Sequence, residues 1–255
     1  MTLFVYSPDG TRIAYDCIGT GPVLMLLHGL GTERRDWHRH GYVERLKDAY
    51  TVITVDLRGA GDSDHPQEIE AYSITKLTAD VLAVADACGA ERFAIWGYSL
   101  GGNLARYLGA WSARPHAAAV IGVPFGPAVP PALDRYITEF EEKWKPVVEA
   151  ALGKPAGAKE KPKSKIKGNI PVYLACFQAM RAWPGVEALD LKCPALLIVG
   201  DKNKDTHAWV HANRPALEAA GVQVEIIPGL NHPQELTKID QVYPVVRTFF
   251  DNHQA

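Results

Sequence analysis

No apolar stretch in this chain reaches the roughly 20 residues that a membrane-spanning helix needs. Residues 1–8 lack a basic segment followed by an apolar one, so no signal peptide is expected and the reading is cytoplasmic. Charge of one sign is lacking too, since the formal net charge is −2. Nothing in that balance favours nucleic acid or a membrane surface as a partner. Cysteine is sparse: Cys17, Cys88, Cys176 and Cys193 show no C-x-x-C spacing. Reduced thiols are expected, not disulfides. None of the nine histidines sits in an H-E-x-x-H pattern. His207 and His211 stand four apart, but no third ligand accompanies them, and no metal is expected.

What is present is apolar and ordered. With 47% hydrophobic residues in 255, the chain can bury one sizeable core. Residues 4–6 and 12–18 flank the turn Ser7-Pro8-Asp9-Gly10, which predicts an N-terminal hairpin. Six apolar runs follow, at 23–27, 51–55, 93–96, 117–123, 195–199 and 222–227. Continuous runs of that length predict parallel strands buried on both faces. Helical patterns separate them, at 75–88 and 215–220, with a last helix at 234–252. The fold class expected is α/β, a mostly parallel central sheet with helices on both faces.

The rhythm breaks between residues 124 and 190, which open on Pro124, Pro127, Pro130 and Pro131. Helices are expected at 132–151 and 171–183, so the segment reads as a small helical lid. The core then comprises 1–123 and 191–255. Between the lid helices, 153–168 holds six lysines and almost nothing apolar, which predicts a mobile surface loop. A loop binding phosphate or acidic groups is the sharper alternative.

Chemistry concentrates at Gly97-Tyr98-Ser99-Leu100-Gly101. A serine between glycines, at the end of a strand and the start of a helix, predicts a strained turn that exposes its hydroxyl. The bland reading of Ser99 is a helix cap. A serine nucleophile needs a base, a group to orient that base, and donors for the developing oxyanion. The base expected is His232, in a Pro/Gly loop after the last strand. The donors expected are the backbone N–H groups of Leu30, in His28-Gly29-Leu30-Gly31, and of Leu100. His28 is read as structural. For the acid, Gly200-Asp201-Lys202-Asn203-Lys204-Asp205 offers Asp205 first, then Asn203 and Asp201.

These motifs resemble the α/β-hydrolase fold superfamily. The similarity rests on residues 28–31, 56–63, 97–102, 193–201 and 229–232, in the family's order of serine, acid and histidine. It implies Ser99 as nucleophile, His232 as base, and a lid over the acyl pocket. In the family, the stretch matching 56–63 mostly orders a loop. Members usually place an aspartate three residues after the position of Gly200, where this chain has Asn203.

The function expected is hydrolysis of small carboxylic esters, lactones or thioesters, without a cofactor. The partner is a small ester-like molecule, and the oligomeric state is not legible. Carbon–carbon bond hydrolysis and perhydrolysis use the same groups. A non-catalytic ligand receptor on this fold is the alternative of another class. Enzymes resembling epoxide hydrolases carry an aspartate where this chain has Ser99. Specificity is expected from Trp37, Phe125, Tyr136, Phe140, Trp144, Phe177, Met180 and Trp183.

Overall fold

The computed structural model describes residues 1–151 and 169–254, so the Lys-rich stretch at 153–168 lies outside the described residues. Eight strands form one sheet: β1 Leu3–Tyr6, β2 Arg12–Ile18, β3 Val23–Leu27, β4 Thr51–Val55, β5 Phe93–Tyr98, β6 Pro115–Ile121, β7 Ala195–Gly200 and β8 Val222–Ile227. Their spatial order is β1-β2-β4-β3-β5-β6-β7-β8. The β1–β2 and β2–β4 pairs are antiparallel. Every pair from β4 through to β8 is parallel.

The continuous apolar runs have a simple cause, because both faces of the central strands are buried. Met25 and Leu27 of β3 point into one cluster with Ile53, Val55, Val120 and Leu197. Leu24 and Leu26 point into another with Val52, Trp96, Ala119 and Ile198. The first cluster is covered by α3 Ile74–Ala87, α4 Leu100–Trp111, α5 Pro131–Ala151, α6 Ile170–Met180 and α7 Lys204–Ala219. The second is covered by α1 Arg34–Arg39, α2 Tyr42–Leu46, α8 Gln234–Thr237 and α9 Ile239–Asp251.

Several elements differ from the sequence expectation. The short helices α1 and α2 were not anticipated; they seat Trp37, Tyr42 and Leu46 against Trp96. Helix α7 begins at Lys204, well before the expected 215, and carries Pro215 inside it. Only Val210 and Leu217 of α7 are buried, too few to show a period. The last helix is broken at Lys238 into α8 and α9. That break matters, because it leaves α8 as a single turn beside the site.

Trp37 is not a specificity residue. It packs edge-on against Tyr42 and Trp96, in the cluster beneath the opposite face of the sheet. Phe125, Phe140, Trp144 and Trp183 are buried with the first cluster. Of the eight candidates, Tyr136, Phe177 and Met180 line the cavity over Ser99.

Candidate active site

Ser99 is the hinge between β5 and α4. Its backbone has φ 54 and ψ −114, and it is the one non-glycine residue with positive φ among those described. Such a conformation costs on the order of 1–3 kcal/mol and persists only where the surroundings enforce it. The flanking glycines show the enforcement. A Cβ on Gly97 would run into the Gly101 carbonyl, and one on Gly101 into the Leu27 carbonyl. The Gly101 N–H is donated to the His28 carbonyl at 3.0 Å, tying the turn after β3 to the start of α4.

That tie fixes the geometry of two donors. The Leu100 N–H is in the first turn of α4, where a helix offers no internal acceptor. Leu30 follows His28 and Gly29, and lines the same cavity as Ser99 and Leu100. His28 is buried; its Nδ1 faces the Gly29 carbonyl at 2.8 Å and its Nε2 faces the Leu57 N–H at 3.1 Å. Nε2 therefore accepts and Nδ1 donates, which defines a neutral ring. Burial holds its pKa below the usual histidine value, against the pull of Asp56 and other nearby acids.

The loop at 56–63 is ordered by its own polar network. Buried Asp56 accepts from the backbone N–H groups of Arg34 at 2.7 Å and Asp62 at 2.8 Å, and pairs with the Arg34 guanidinium. Arg58 forks onto Asp80, with both contacts at 2.6 Å.

His232 Nε2 lies 3.0 Å from Ser99 Oγ. Its Nδ1 lies 2.8 Å from Glu235 Oε2. With Nε2 accepting the serine proton, Nδ1 carries a hydrogen and donates it to Glu235. Tyr98 stacks on the imidazole at 5.0 Å between centroids, and its hydroxyl donates to the His232 carbonyl at 3.0 Å. Burial, helped by the charge of Glu235, raises the Tyr98 pKa, so this hydroxyl stays a donor.

Glu235 was not anticipated. Its side chain is fully buried. Oε1 accepts the Gly200 N–H at 2.8 Å and an Asn203 Nδ2 hydrogen at 3.0 Å. Gly122, at φ +79, lets the backbone pass beside the pair; a Cβ there would strike Glu235 Oε2 and lie 2.8 Å from His232 Nδ1. The sequence signal is weak: Glu235 follows His232 by three, one turn along, a spacing also common to ordinary helix starts.

The expectation for Asp205 is corrected by this arrangement. The carboxylate that meets His232 is Glu235, and Asp205 is exposed in the first turn of α7. The reason is local. Helix α7 begins immediately after Asn203, so no spare loop remains to bring Asp205 inward. Asp205 does line the cavity. Asp201 also plays a different part: its Oδ1 accepts the Gly229 N–H at 2.7 Å, shaping the turn that leads to His232. Asn203 stands against both His232 and Glu235.

A cavity of about 610 Å³ opens above Ser99 and His232. Its walls come from Leu30 and Leu100, from Leu133 and Tyr136 of α5, and from Phe177 and Met180 of α6. Hydroxyl, imidazole and carboxylate in line at these distances can pass a proton from serine to histidine as the oxygen attacks an electrophilic carbon. Among the described residues no cluster of three or more His, Cys, Asp or Glu could hold a metal ion. The His207 and His211 rings are 6.2 Å apart. No described helix is long and apolar enough to cross a membrane.

Residues 22–135 match the family model of the α/β-hydrolase fold. Solved structures agree over almost the whole chain. An esterase from Exiguobacterium antarcticum superposes with a TM-score of 0.74 at 21% identity, covering 98% of this chain and 99% of its own. The enol-lactonase from Burkholderia xenovorans gives 0.73 at 22%, covering 98% and 100%. The chain has the α/β-hydrolase fold. Curated relatives include Epoxide hydrolase 3 of Siraitia grosvenorii, 32% identical over 99 residues, which are 39% of this chain and 31% of that protein. The chain thus spans under a third of that relative's length. A putative non-heme chloroperoxidase of Synechocystis sp. is 26% identical over 275 residues, covering 93% of this chain and 94% of the relative.

Proposed function

We propose that this protein is a serine hydrolase of small carboxylic esters, lactones or thioesters. The observation that carries the reading is the line from Ser99 Oγ through His232 to buried Glu235, at 3.0 and 2.8 Å, on the floor of a largely apolar cavity. Ser99 attacks the acyl carbon while His232 Nε2 takes its proton. Glu235 holds the Nδ1 hydrogen and balances the imidazolium that forms. The N–H groups of Leu30 and Leu100 receive the oxyanion. His232 returns the proton to the leaving alcohol or thiol, and a water activated by the same nitrogen clears the acyl-enzyme. Helices α5 and α6 serve as the lid over the acyl pocket.

Perhydrolysis is the second reading. The likeness to a putative chloroperoxidase over nearly the full chain favours it, and it draws on the same three groups. Epoxide opening is disfavoured, since the elbow carries serine in place of an aspartate.

The test is turnover of p-nitrophenyl acyl esters of increasing chain length by wild type and Ser99→Ala. The expected result is activity that falls by about 10⁴-fold or more in Ser99→Ala, with a chain-length optimum set by the cavity. A folded wild type that hydrolyses no ester, yet shifts its melting temperature with a ligand, would overturn the reading in favour of a receptor.

A further inference from the structure

Helix α4 carries a polar side chain on the cavity wall that the relay does not use. Asn103 stands one turn after Ser99, and its backbone N–H donates to the Ser99 carbonyl at 2.9 Å. Side chains on a helix lean toward its N-terminus. The Asn103 carboxamide thus leans back toward the turn that holds the nucleophile, and it lines the same cavity as Ser99, Leu100 and His232. Asn103 is 4% exposed. Among the described residues lining the cavity, it is the one buried side chain with polar atoms.

That amide is unused by the protein. Its Oδ1 is shielded from solvent and accepts no hydrogen bond, and no described residue bonds its Nδ2. The other polar groups beside the nucleophile are engaged: Ser99 with His232, and Asn203 with Glu235. Arg135 and Asp205 also line the cavity, but both are exposed. A buried amide without a partner is destabilising, and an apolar side chain of the same size would avoid that cost. An amide kept at such a place is explained by a ligand that completes it.

We propose that Asn103 is a specificity-determining residue that recognises a hydroxyl group on the acyl chain of the substrate. This inference rests on the serine-hydrolase reading. A hydroxyl is small and neutral, and its single oxygen can donate to Oδ1 and accept from Nδ2. The carboxamide can turn about χ2, a broad torsion, to meet it. A carboxylate would only accept, and it would bring a charge among Leu100, Ala128, Phe177 and Met180, which are buried and apolar. Position follows from the helix. Residues one turn apart have Cβ atoms about 5–6 Å from each other. With the acyl carbon on Ser99 Oγ, that span fits a hydroxyl on the α- or β-carbon of the acyl chain.

The test compares p-nitrophenyl esters of α-hydroxy and β-hydroxy butanoic acid, each beside the ester with methyl in place of the hydroxyl. Wild type, Asn103→Leu and Ser99→Ala are assayed, with melting temperatures measured alongside. Wild type is expected to prefer one hydroxy ester over its methyl counterpart by at least about tenfold in kcat/KM, the effect of one well-placed hydrogen bond. In Asn103→Leu that preference is expected to shrink to about threefold or less. The melting temperature of the variant is expected to hold or rise, because an unpaired polar atom is removed.

A wild type with Ser99-dependent turnover and no preference for either hydroxy ester overturns the inference, whatever the variant does. A preference that survives in Asn103→Leu overturns it too. So does a melting temperature lower by about 3 °C or more, or a variant that does not fold, since the amide would then be part of the structure. Turnover that persists in Ser99→Ala, or a folded wild type that hydrolyses none of these esters, rejects the serine-hydrolase reading beneath it.

Discussion

The two ends of the Ser99–His232–Glu235 line are built from different materials. At the serine end, backbone holds everything: a positive φ, glycines packed against carbonyls, and the Gly101 N–H on the His28 carbonyl. At the glutamate end, side chains dominate: a buried carboxylate held by one backbone N–H and one asparagine amide. A backbone-built end tolerates almost no added atom. A side-chain-built end keeps its shape under isosteric change but is sensitive to the placement of hydrogens and charge.

Predictions follow from that contrast, beginning with the side-chain end. Glu235→Gln should lower kcat by about 10³- to 10⁴-fold with little change in melting temperature, whereas Asp205→Asn should stay within about threefold of wild type. Comparable losses from both, measured on one ester, would return Asp205 to the relay. At the backbone end the damage should appear in stability instead. Gly101→Ala forces a methyl into the Leu27 carbonyl and should cost about 3 kcal/mol or more. Urea unfolding of that variant within 1 kcal/mol of wild type, on the order of a single lost contact, would show that the elbow relaxes easily.

Tyr98 joins the two ends, so its removal should give an intermediate result. Tyr98→Phe keeps the stacked ring and loses the bond from the hydroxyl to the His232 carbonyl. A loss of about 1 kcal/mol in stability and less than tenfold in kcat/KM is expected. A 10³-fold kinetic loss would assign the hydroxyl a direct part in the reaction.

The smallest effect concerns His28, buried neutral beneath the turn that carries Leu30. Its folded pKa lies below the ordinary value of about 6.5. The unfolded chain thus binds a proton first as pH falls. The stability from His28 is complete above about pH 6.5 and is lost as pH drops from there toward the lowered folded value. Melting temperatures from pH 8 down to 5 should fall less steeply in His28→Gln than in wild type. Equal slopes would place the acid sensitivity elsewhere.

Much of this molecule is determined by local chemistry and could be read from the chain alone. The strand runs are continuous because both faces of a central parallel strand are buried, and burial of that kind writes itself into composition. Ser99 could be read because a strained turn needs glycine at fixed offsets. His232 could be read because a loop histidine after the last strand has few neighbours in sequence to explain it. The short helices α1 and α2, the early start of α7 and the break at Lys238 could not: α1 and α2 have only six and five residues, too few to display a period, and α7 buries only Val210 and Leu217. The orienting carboxylate was decided by tertiary structure alone. Asp201, Asp205 and Glu235 are all carboxylates, and no local pattern in the sequence shows which of them meets His232. The start of α7 places Asp205 on the cavity wall rather than beside His232 Nδ1, and the packing of α8 against the end of β7 sets Glu235 on the Gly200 N–H. Which carboxylate meets His232 depends on burial and hydrogen-bond donors from distant parts of the chain, and those meet only once the sheet has formed.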